Sequence, residues 1–403
     1  MDVIYERCCG MDVHKKTVVA CVITPEGQQI RSFKTTTKEL LSLSDWLSEH
    51  KITHIAMEST GVYWQPIYNL LEDDFSVMVV NARHIKNVPG RKTDVKDAQW
   101  IADLLRHGLV RASFIPARPQ RELRELVRYR RRLIQERSRI VNRIQKVLEG
   151  ANIKLSSVAT DVVGASGLSM LRAMASGEDN PDVLANMAKG RLRDKIPQLR
   201  EALRGTIGSH QRFMLESQLR LLDIQSQEID RVDQEVAQRV SPFEEMICRV
   251  DEIPGIGRRG AEEILAEIGT DMSQFPTAAH LASWAKVSPG NNESAGKRKS
   301  ERTGKGNPWL KTALIEAARA ASRTKDKYLS AQYRRLARRR GANRAAMAVA
   351  HSILTSIHHM LSNNTHYREL GGNYFDEHDR YYTVKRSVRR IERLGYKVIL
   401  ETA

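Results

Sequence analysis

"RCCGMDVHKKTVVACVIT", from Arg7 to Thr24, decides how the chain begins. Two apolar runs rich in β-branched residues are joined by a tight basic turn, the pattern of paired strands. Asp12 interrupts the first run. Strand alternation puts it on one face with Gly10 and His14. A carboxylate inside an apolar strand is costly unless it is paired or bound to a metal. Working outward, Pro25–Gly27 is a turn and "QQIRSFKT" (Gln28–Thr35) a third strand. "TKELLSLSDWLSEH" (Thr37–His50) has helical spacing, with Leu40, Leu41, Leu43 and Trp46 as its apolar residues. "THIAMEST" (Thr53–Thr60) is a short buried strand ending near Glu58, and "GVYWQPIYNLLED" (Gly61–Asp73) is helical. "SVMVVN" (Ser76–Asn81) gives another strand, and "KTDVKDAQWIADLL" (Lys92–Leu105) the next helix. The order β-β-β-α-β-α-β-α predicts a mixed α/β sheet over residues 1–117.

From Arg118 the pattern changes. "RELRELVRYRRRLIQERSRIVNRIQKVLEGANIKL" (Arg121–Leu155) is a long charged helix with Leu123, Leu126, Leu133, Ile140, Ile144 and Leu148 near one stripe. "GSHQRFMLESQLRLLDIQSQEIDRVDQEVAQRV" (Gly208–Val240) is a second one. Between them Ser156–Leu199 is less regular, with "ASGEDNPD" as its loop. An antiparallel coiled-coil arm is expected over 118–245, packing on itself or on a second subunit. A helical unit over 246–330 and a basic helical extension over 331–403 complete the division.

The chain of 403 residues carries 65 Lys+Arg against 48 Asp+Glu, a net charge of +17 that points to a polyanion such as DNA or RNA. Aromatics at 6% argue against base stacking as the main binding device. No apolar run approaches the ~20 residues of a membrane span, so no membrane partner is expected. Without a secretory leader or zinc-type cysteine spacing, a reduced, cytoplasmic setting is expected.

Two acids open the helix at Asp94 and Asp97. Three residues turn an α-helix by about 300°, so the two carboxylates project roughly 60° apart and can address one point. The same pair also reads as an N-terminal cap, with Thr93 or Asp94 capping and the next acid favoured by the helix dipole. Asp12 in the first strand and Glu58 at the end of the fourth change the balance. Hard oxygen donors converging from separate elements suit Mg²⁺ or Mn²⁺, which leaves coordination positions for phosphate oxygens. An acidic centre would hold metal while a basic shell holds nucleic acid.

"IPGIG" (Ile253–Gly257), between helical segments, reads as a helix-hairpin-helix turn. Gly255 and Gly257 permit the tight turn and let backbone amides approach a phosphate. It equally reads as an ordinary Gly-rich loop. "SPGNNESAGKRKSERTGKGNPWLKTALIEAA" (Ser288–Ala318) is a polar, basic loop followed by a helix. Its Lys297, Arg298, Lys299, Arg302 and Lys305 are candidates for phosphate contact. By composition alone Ser294 is an ordinary loop serine. The arginine run between Tyr333 and Arg340 reads as a solvated helix face or, favoured in so basic a chain, a nucleic-acid contact, and His14 as a phosphate contact or, favoured, a solvent-facing group. His351, His358 and His359 are read as structural, and Trp284 and Trp309 as core anchors.

The strand order with Asp12, Glu58, Asp94 and Asp97 resembles the RuvC-like branch of the RNase H superfamily. "GMDVHKKTVVACV", "MESTGVYW" and "RKTDVKDAQWIADLLRHGLV" are more particular: they resemble the amino-terminal half of transposases of the IS110 family (the IS110/IS1111 group), the DEDD recombinases of insertion sequences. The resemblance runs to about Leu370. It implies a multidomain chain: a RuvC-like α/β domain, a coiled-coil arm, and an all-α second transposase domain with a helix-hairpin-helix-like segment. It implies a nucleophilic serine in the loop, and "ESAGKRKSERTGKGNPWL" selects Ser294, with Ser288 and Ser300 as fallbacks because Ala295 separates Ser294 from Gly296. Ser294 would form a phosphoserine linkage with DNA, with Asp12, Glu58, Asp94 and Asp97 binding Mg²⁺ or Mn²⁺. The family also implies donor and target DNA, a structured noncoding guide (bridge) RNA that pairs with both, and a homodimer assembling to a tetramer at the bacterial nucleoid. The competing expectations are a metal-dependent, structure-selective nuclease resembling a Holliday junction resolvase, and a non-catalytic nucleic-acid scaffold.

Overall fold

The computed structural model describes residues 2–59, 61–81, 97–290, 292–294, 297–300, 303–304 and 306–400. The chain divides into two compact units, Met1–Arg118 and Pro119–Ala403.

In the first unit, strands β1 (Cys8–Val13), β2 (Thr17–Thr24) and β3 (Gly27–Lys34) form an antiparallel meander. Helix α1 (Thr37–Glu49) crosses over so that β4 (His54–Glu58) pairs parallel with β1. After α2 (Trp64–Leu71), β5 (Ser76–Val80) pairs parallel with β4. The sheet order is β3-β2-β1-β4-β5, and α3 (Asp97–Arg106) follows. The element order is the one read from the sequence. The two faces are buried by different helices. Cys9, Met11, Val13, Ile55 and Met57 join Leu40, Leu43, Trp46 and Leu47 of α1 in one core. Cys8, Cys21, Ala56 and Val80 meet Ala98, Ile101, Ala102 and Leu105 of α3 in the other. One expectation shifts: Leu41 is exposed and Leu47 is buried in its stead. Leu40, Leu43 and Leu47 follow the three-and-four spacing of a single helical stripe, and Leu41 falls outside it.

The second unit opens with α4 (Arg118–Gly150), a helix of 33 residues. It runs antiparallel to α9 (Ser209–Val240): Arg239 pairs with Glu122, Arg130 with Asp233, and Arg137 Nε donates to Ser226 Oγ. The arm therefore packs on itself within one chain. Its buried stripe is Leu123, Val127, Arg130, Leu133, Ile140, Ile144 and Leu148. Val127 and Arg130 take the inward positions that Leu126 was expected to share. The segment between the long helices is more ordered than its sequence predicted. It folds as α5 (Leu155–Val158), α6 (Ala165–Ala175), α7 (Pro181–Asn186), a 3-10 turn and α8 (Ile196–Ala202). These pieces close over one end of the arm, where Met170, Leu171, Met174, Leu184 and Leu199 share a core with Ile144, Leu148, Leu215 and Leu219. Helices this short are held by burial rather than by propensity, so their sequence signal is weak.

Helices α10 (Glu244–Asp251), α11 (Arg258–Ile268), α12 (Ala278–Trp284), α13 (Pro308–Ala321), α14 (Tyr328–Arg340) and α15 (Ala342–Asn363) gather at the other end. The expected all-α character is corrected by a two-stranded hairpin, β6 (Asn292–Ser294) with β7 (Lys297–Ser300). Arginines of α4 knit this end to α11. Glu267, 3% exposed, accepts from Arg128 at 2.7 and 2.8 Å and from Asn307 Nδ2 at 2.6 Å. Arg124 donates to the carbonyls of Ala266 and Glu267, filling the open acceptors at the end of α11. Arg130, 1% exposed, donates to Glu262 at 2.6 Å. His358 is buried, with Nε2 on the Phe275 carbonyl at 2.8 Å, in the structural role its sequence position predicted. Trp284 and Trp309 are only half-buried; Arg128 and Arg132 lie over the Trp309 ring. The extension ends in α16 (Tyr374–His378) and α17 (Arg380–Glu392).

Candidate catalytic site

The sheet of the first unit places the acids. Parallel pairing of β1 with β4 aligns Met11 with Met57, so one step further on Asp12 stands opposite Glu58 at the carboxyl ends of adjacent strands. Both belong to the face covered by α3. Cys8 and Ala56 lie in the α3 core, and side chains two and four residues apart along a strand share a face. Helix α3 lies directly on β1 at Gly10. A Cβ added there would sit 2.2 Å from the Ala102 amide nitrogen and 2.3 Å from the Ala98 carbonyl oxygen. Cys8 Sγ, two residues earlier, meets the Ala102 carbonyl. The helix thus runs antiparallel to β1, and its amino-terminal end, with Asp97 beside Ala98, lies toward Asp12. Three elements bring Asp12, Glu58 and Asp97 to one end of one sheet face.

Asp12 is mostly buried, and its carboxylate faces His14 Nε2 at 3.1 Å, while His14 itself is largely exposed. Asp94 lies outside the described residues. Among the described residues no three His, Cys, Asp or Glu side chains are gathered closely enough to enclose an ion. The carboxylates fit a divalent cation in kind and in placement, as oxygen donors from separate elements at a strand edge. They do not make a closed cage. Three cysteines lie in the same sheet. Burial pushes the Cys8 and Cys21 thiols up to about 11 and raises Cys9 well above the ordinary range. None of the three supplies a thiolate nucleophile near neutral pH.

In the second unit Ser294 ends β6 and pairs with Lys297 across the hairpin, so it stands beside the hairpin tip. Lys297, Arg298 and Lys299 lie on β7. Arg302 and Lys305 lie outside the described residues. Ser288 precedes the hairpin and Ser300 closes it. "IPGIG" does connect two helices, α10 and α11. Gly255 has φ +92°, and a Cβ there would meet the Ala317 carbonyl and the Ala321 nitrogen, each at 2.4 Å. Its missing side chain is thus required by α13. Gly257 caps α11 with open space beside it. The Arg–Glu network lies outside the sequence-based expectations. Its signal was present as Arg128 to Arg132 opposite Glu262, Glu263 and Glu267, but only the fold pairs segments more than 100 residues apart.

Residues 9–153 match a family model described as a transposase, the DEDD transposase of the IS110 type. Residues 248–334 match the transposase IS116/IS110/IS902 family. The chain belongs to the IS110/IS1111 family of transposases. It is similar over its length to the transposase for insertion sequence element IS1111A of Coxiella burnetii, at 26% identity covering 90% of this chain and 91% of the relative. A pilin gene-inverting protein of Moraxella lacunata is 24% identical, covering 71% of this chain and 73% of the relative. The insertion element IS110 uncharacterized 43.6 kDa protein of Streptomyces coelicolor is 32% identical over a shorter stretch, 28% of each chain. This IS110-family transposase is accordingly an enzyme that acts on DNA, and the DEDD family carries metal-dependent catalysis. No helix among the described residues is long and apolar enough to cross a membrane.

Proposed function

We propose that this transposase cleaves and exchanges DNA strands through a phosphoserine intermediate. The observation that carries the reading is the placement of Asp12, Glu58 and Asp97, from β1, β4 and α3, at one end of one sheet face. The sheet order supports a RuvC-like assignment of residues 1–117, followed by an arm over 118–245, a serine-loop segment over 246–330 and an extension over 331–403. Asp12, Glu58, Asp94 and Asp97 would hold Mg²⁺ or Mn²⁺. Such an ion, when bound, stabilises charge developing on phosphate oxygens and the leaving oxygen.

The chain's own groups carry the remaining steps. Ser294 Oγ attacks the phosphorus, the bond to the 3′-oxygen breaks, and the proton lost by the serine is matched by one taken up at that oxygen. The phosphodiester energy stays in the serine ester, so a 3′-hydroxyl of another strand can reverse the step without a nucleotide cofactor. Lys297, Arg298, Lys299, Arg302 and Lys305 neutralise strand phosphates around the loop, and the Gly255–Gly257 turn adds backbone contact. Similarity to a protein named for inverting a gene favours exchange over hydrolysis, because an inverted segment must be rejoined at both ends. Target choice would fall to a guide RNA pairing with donor and target DNA, consistent with a basic protein poor in aromatics. Phe213, Leu221 and Ile224 of α9 are exposed, an apolar face that a second copy would cover in a dimer or tetramer.

The test is a covalent-adduct assay with Mg²⁺, the element's RNA, and labelled donor and target DNA. Protein-linked DNA is expected for wild type and lost in Ser294→Ala and in Asp12→Ala. Cleavage without an adduct, unchanged in Ser294→Ala, overturns the serine mechanism and leaves the metal-dependent nuclease. Binding that survives Asp12→Ala, with no cleavage in any metal, leaves the scaffold.

A further inference from the structure

The C-terminal extension builds a second basic feature that strand exchange does not use. Helices α14 and α17 wall a cleft of about 930 Å³. Arg334, Arg335, Arg338 and Arg339 form one wall, and Arg386 and Arg389 stand on the other. In all, nine cationic side chains line it against two carboxylates, Asp376 and Asp379. Nearly all of the lining lies past residue 334, where the second family match ends.

The pairing of these arginines differs from that at the base of the arm. There Arg124, Arg128, Arg130 and Arg131 each meet a glutamate, and their charge is spent inside the fold. Among the described residues, Arg335 is the one cleft cation that meets a carboxylate, Asp379 at 3.0 Å. So many like charges facing one another repel, and a polyanion relieves that repulsion. The spacing is regular: Arg334 and Arg338 are one helical turn apart, as are Arg386 and Arg390, so each wall presents a stripe of guanidinium groups.

Aromatic rings accompany the charge. Tyr382 lines the cleft and is 73% exposed, Tyr381 is 68% exposed, and Lys385 Nζ lies 5.5 Å from the centre of the Tyr381 ring. Phe375, under Arg335 and stacked on Tyr328, forms the floor. An exposed tyrosine face among arginines suits a base removed from its stack. In a duplex the base faces are already occupied, so they cannot use such a ring. We infer that the α14–α17 cleft binds an unpaired stretch of nucleic-acid strand, its phosphates on the arginine walls and a base against Tyr382. Loop RNA and single-stranded DNA share this chemistry, and the experiment separates them. The inference does not depend on the serine mechanism.

The test uses the full chain and labelled 20-nucleotide probes: unstructured single-stranded RNA, single-stranded DNA, and a DNA duplex. Dissociation constants are measured by fluorescence anisotropy over a salt series. Arg338→Glu with Arg389→Glu should weaken single-strand binding at least ten-fold and reduce the salt slope by about 1.4, for two lost phosphate contacts. Tyr382→Ala should cost the single strand roughly ten-fold and the duplex nothing, while Tyr382→Phe keeps wild-type affinity. Binding is measured without added metal, so no strand is cut, and failure of the cleft stays separate from failure of the strand-exchange reading. Tighter RNA or tighter DNA binding identifies the source. These residues line an open surface, so the variants should keep the wild-type melting temperature. Photocrosslinking through a thio-substituted base should label the peptide spanning residues 380–393. Single-strand affinity within two-fold of wild type in both cleft variants, equal loss on duplex and single strand in Tyr382→Ala, or crosslinks confined to other peptides would overturn the inference.

Discussion

Gly10→Ala tests whether the contact between α3 and β1 sets the candidate site. The new methyl carbon would lie 2.2 Å from the Ala102 nitrogen, 2.3 Å from the Ala98 oxygen and 2.8 Å from the Ala102 Cα, where ordinary contact begins at 3.4 Å. All three are backbone atoms, so no rotamer change relieves the collision. The helix must retreat by about 1 Å, which follows from the difference between the collision and contact distances. A gap of that width forfeits roughly a quarter to a half of the dispersion well for Ala98, Ile101, Ala102 and Leu105 against the sheet. With the overpacking itself, the cost falls near the upper end of the ~1–3 kcal/mol found for such changes. That amounts to a loss of roughly 10 °C in the melting of the first unit. Asp97 moves with the helix, and a misplacement of about 1 Å costs on the order of 100-fold in rate. The assays are thermal unfolding of the full chain and DNA cleavage measured well below the melting temperature. Adding Ala102→Gly should not rescue either property, because the colliding atoms remain. Wild-type stability and cleavage in Gly10→Ala, or recovery on adding Ala102→Gly, would refute the reasoning.

Other outcomes follow from the second unit and the cysteines. Glu262→Ala leaves the buried Arg130 guanidinium without its 2.6 Å partner and should cost about 3–5 kcal/mol in urea unfolding; Arg130→Met with Glu262→Met should recover most of it. Asn307 caps α13 by accepting from the Trp309 and Leu310 amides, so Asn307→Ala should lower stability by about 1 kcal/mol for the cap and more for the lost Glu267 contact. Asn307→Asp keeps the cap acceptor but sets a carboxylate against Glu267, and should also destabilise at neutral pH. Of the four cysteines, Cys248 is exposed while Cys8, Cys9 and Cys21 are buried with raised pKa values. Ellman's reagent at pH 8 should titrate one thiol in the native protein and all four after denaturation.

The sequence by itself determined the elements of the first unit. Its strands are short apolar runs bounded by turns, and each sits where local patterning placed it, from Cys8–Val13 to Ser76–Val80. Patterning also gave the two long helices, because a 3.6-residue period over more than 30 residues is a strong local signal. It marked Asp12, Glu58 and Asp97 by their chemistry. The tertiary structure decided which groups meet. Parallel pairing sets Asp12 against Glu58, and Gly10 draws α3 close enough to carry Asp97 toward them. Arg130 has the sequence signature of a solvated helix charge, yet it lies in the buried stripe because Glu262 and Asp233 arrive there from distant segments. Likewise Gly255 has the local signature of a turn glycine, and only the fold shows α13 packed where its side chain would be. Local sequence fixes backbone periodicity because neighbouring residues compete for the same few dihedral states. Burial, pairing and the sharing of a site depend on contacts between segments far apart in the chain, and these exist only once the fold has formed.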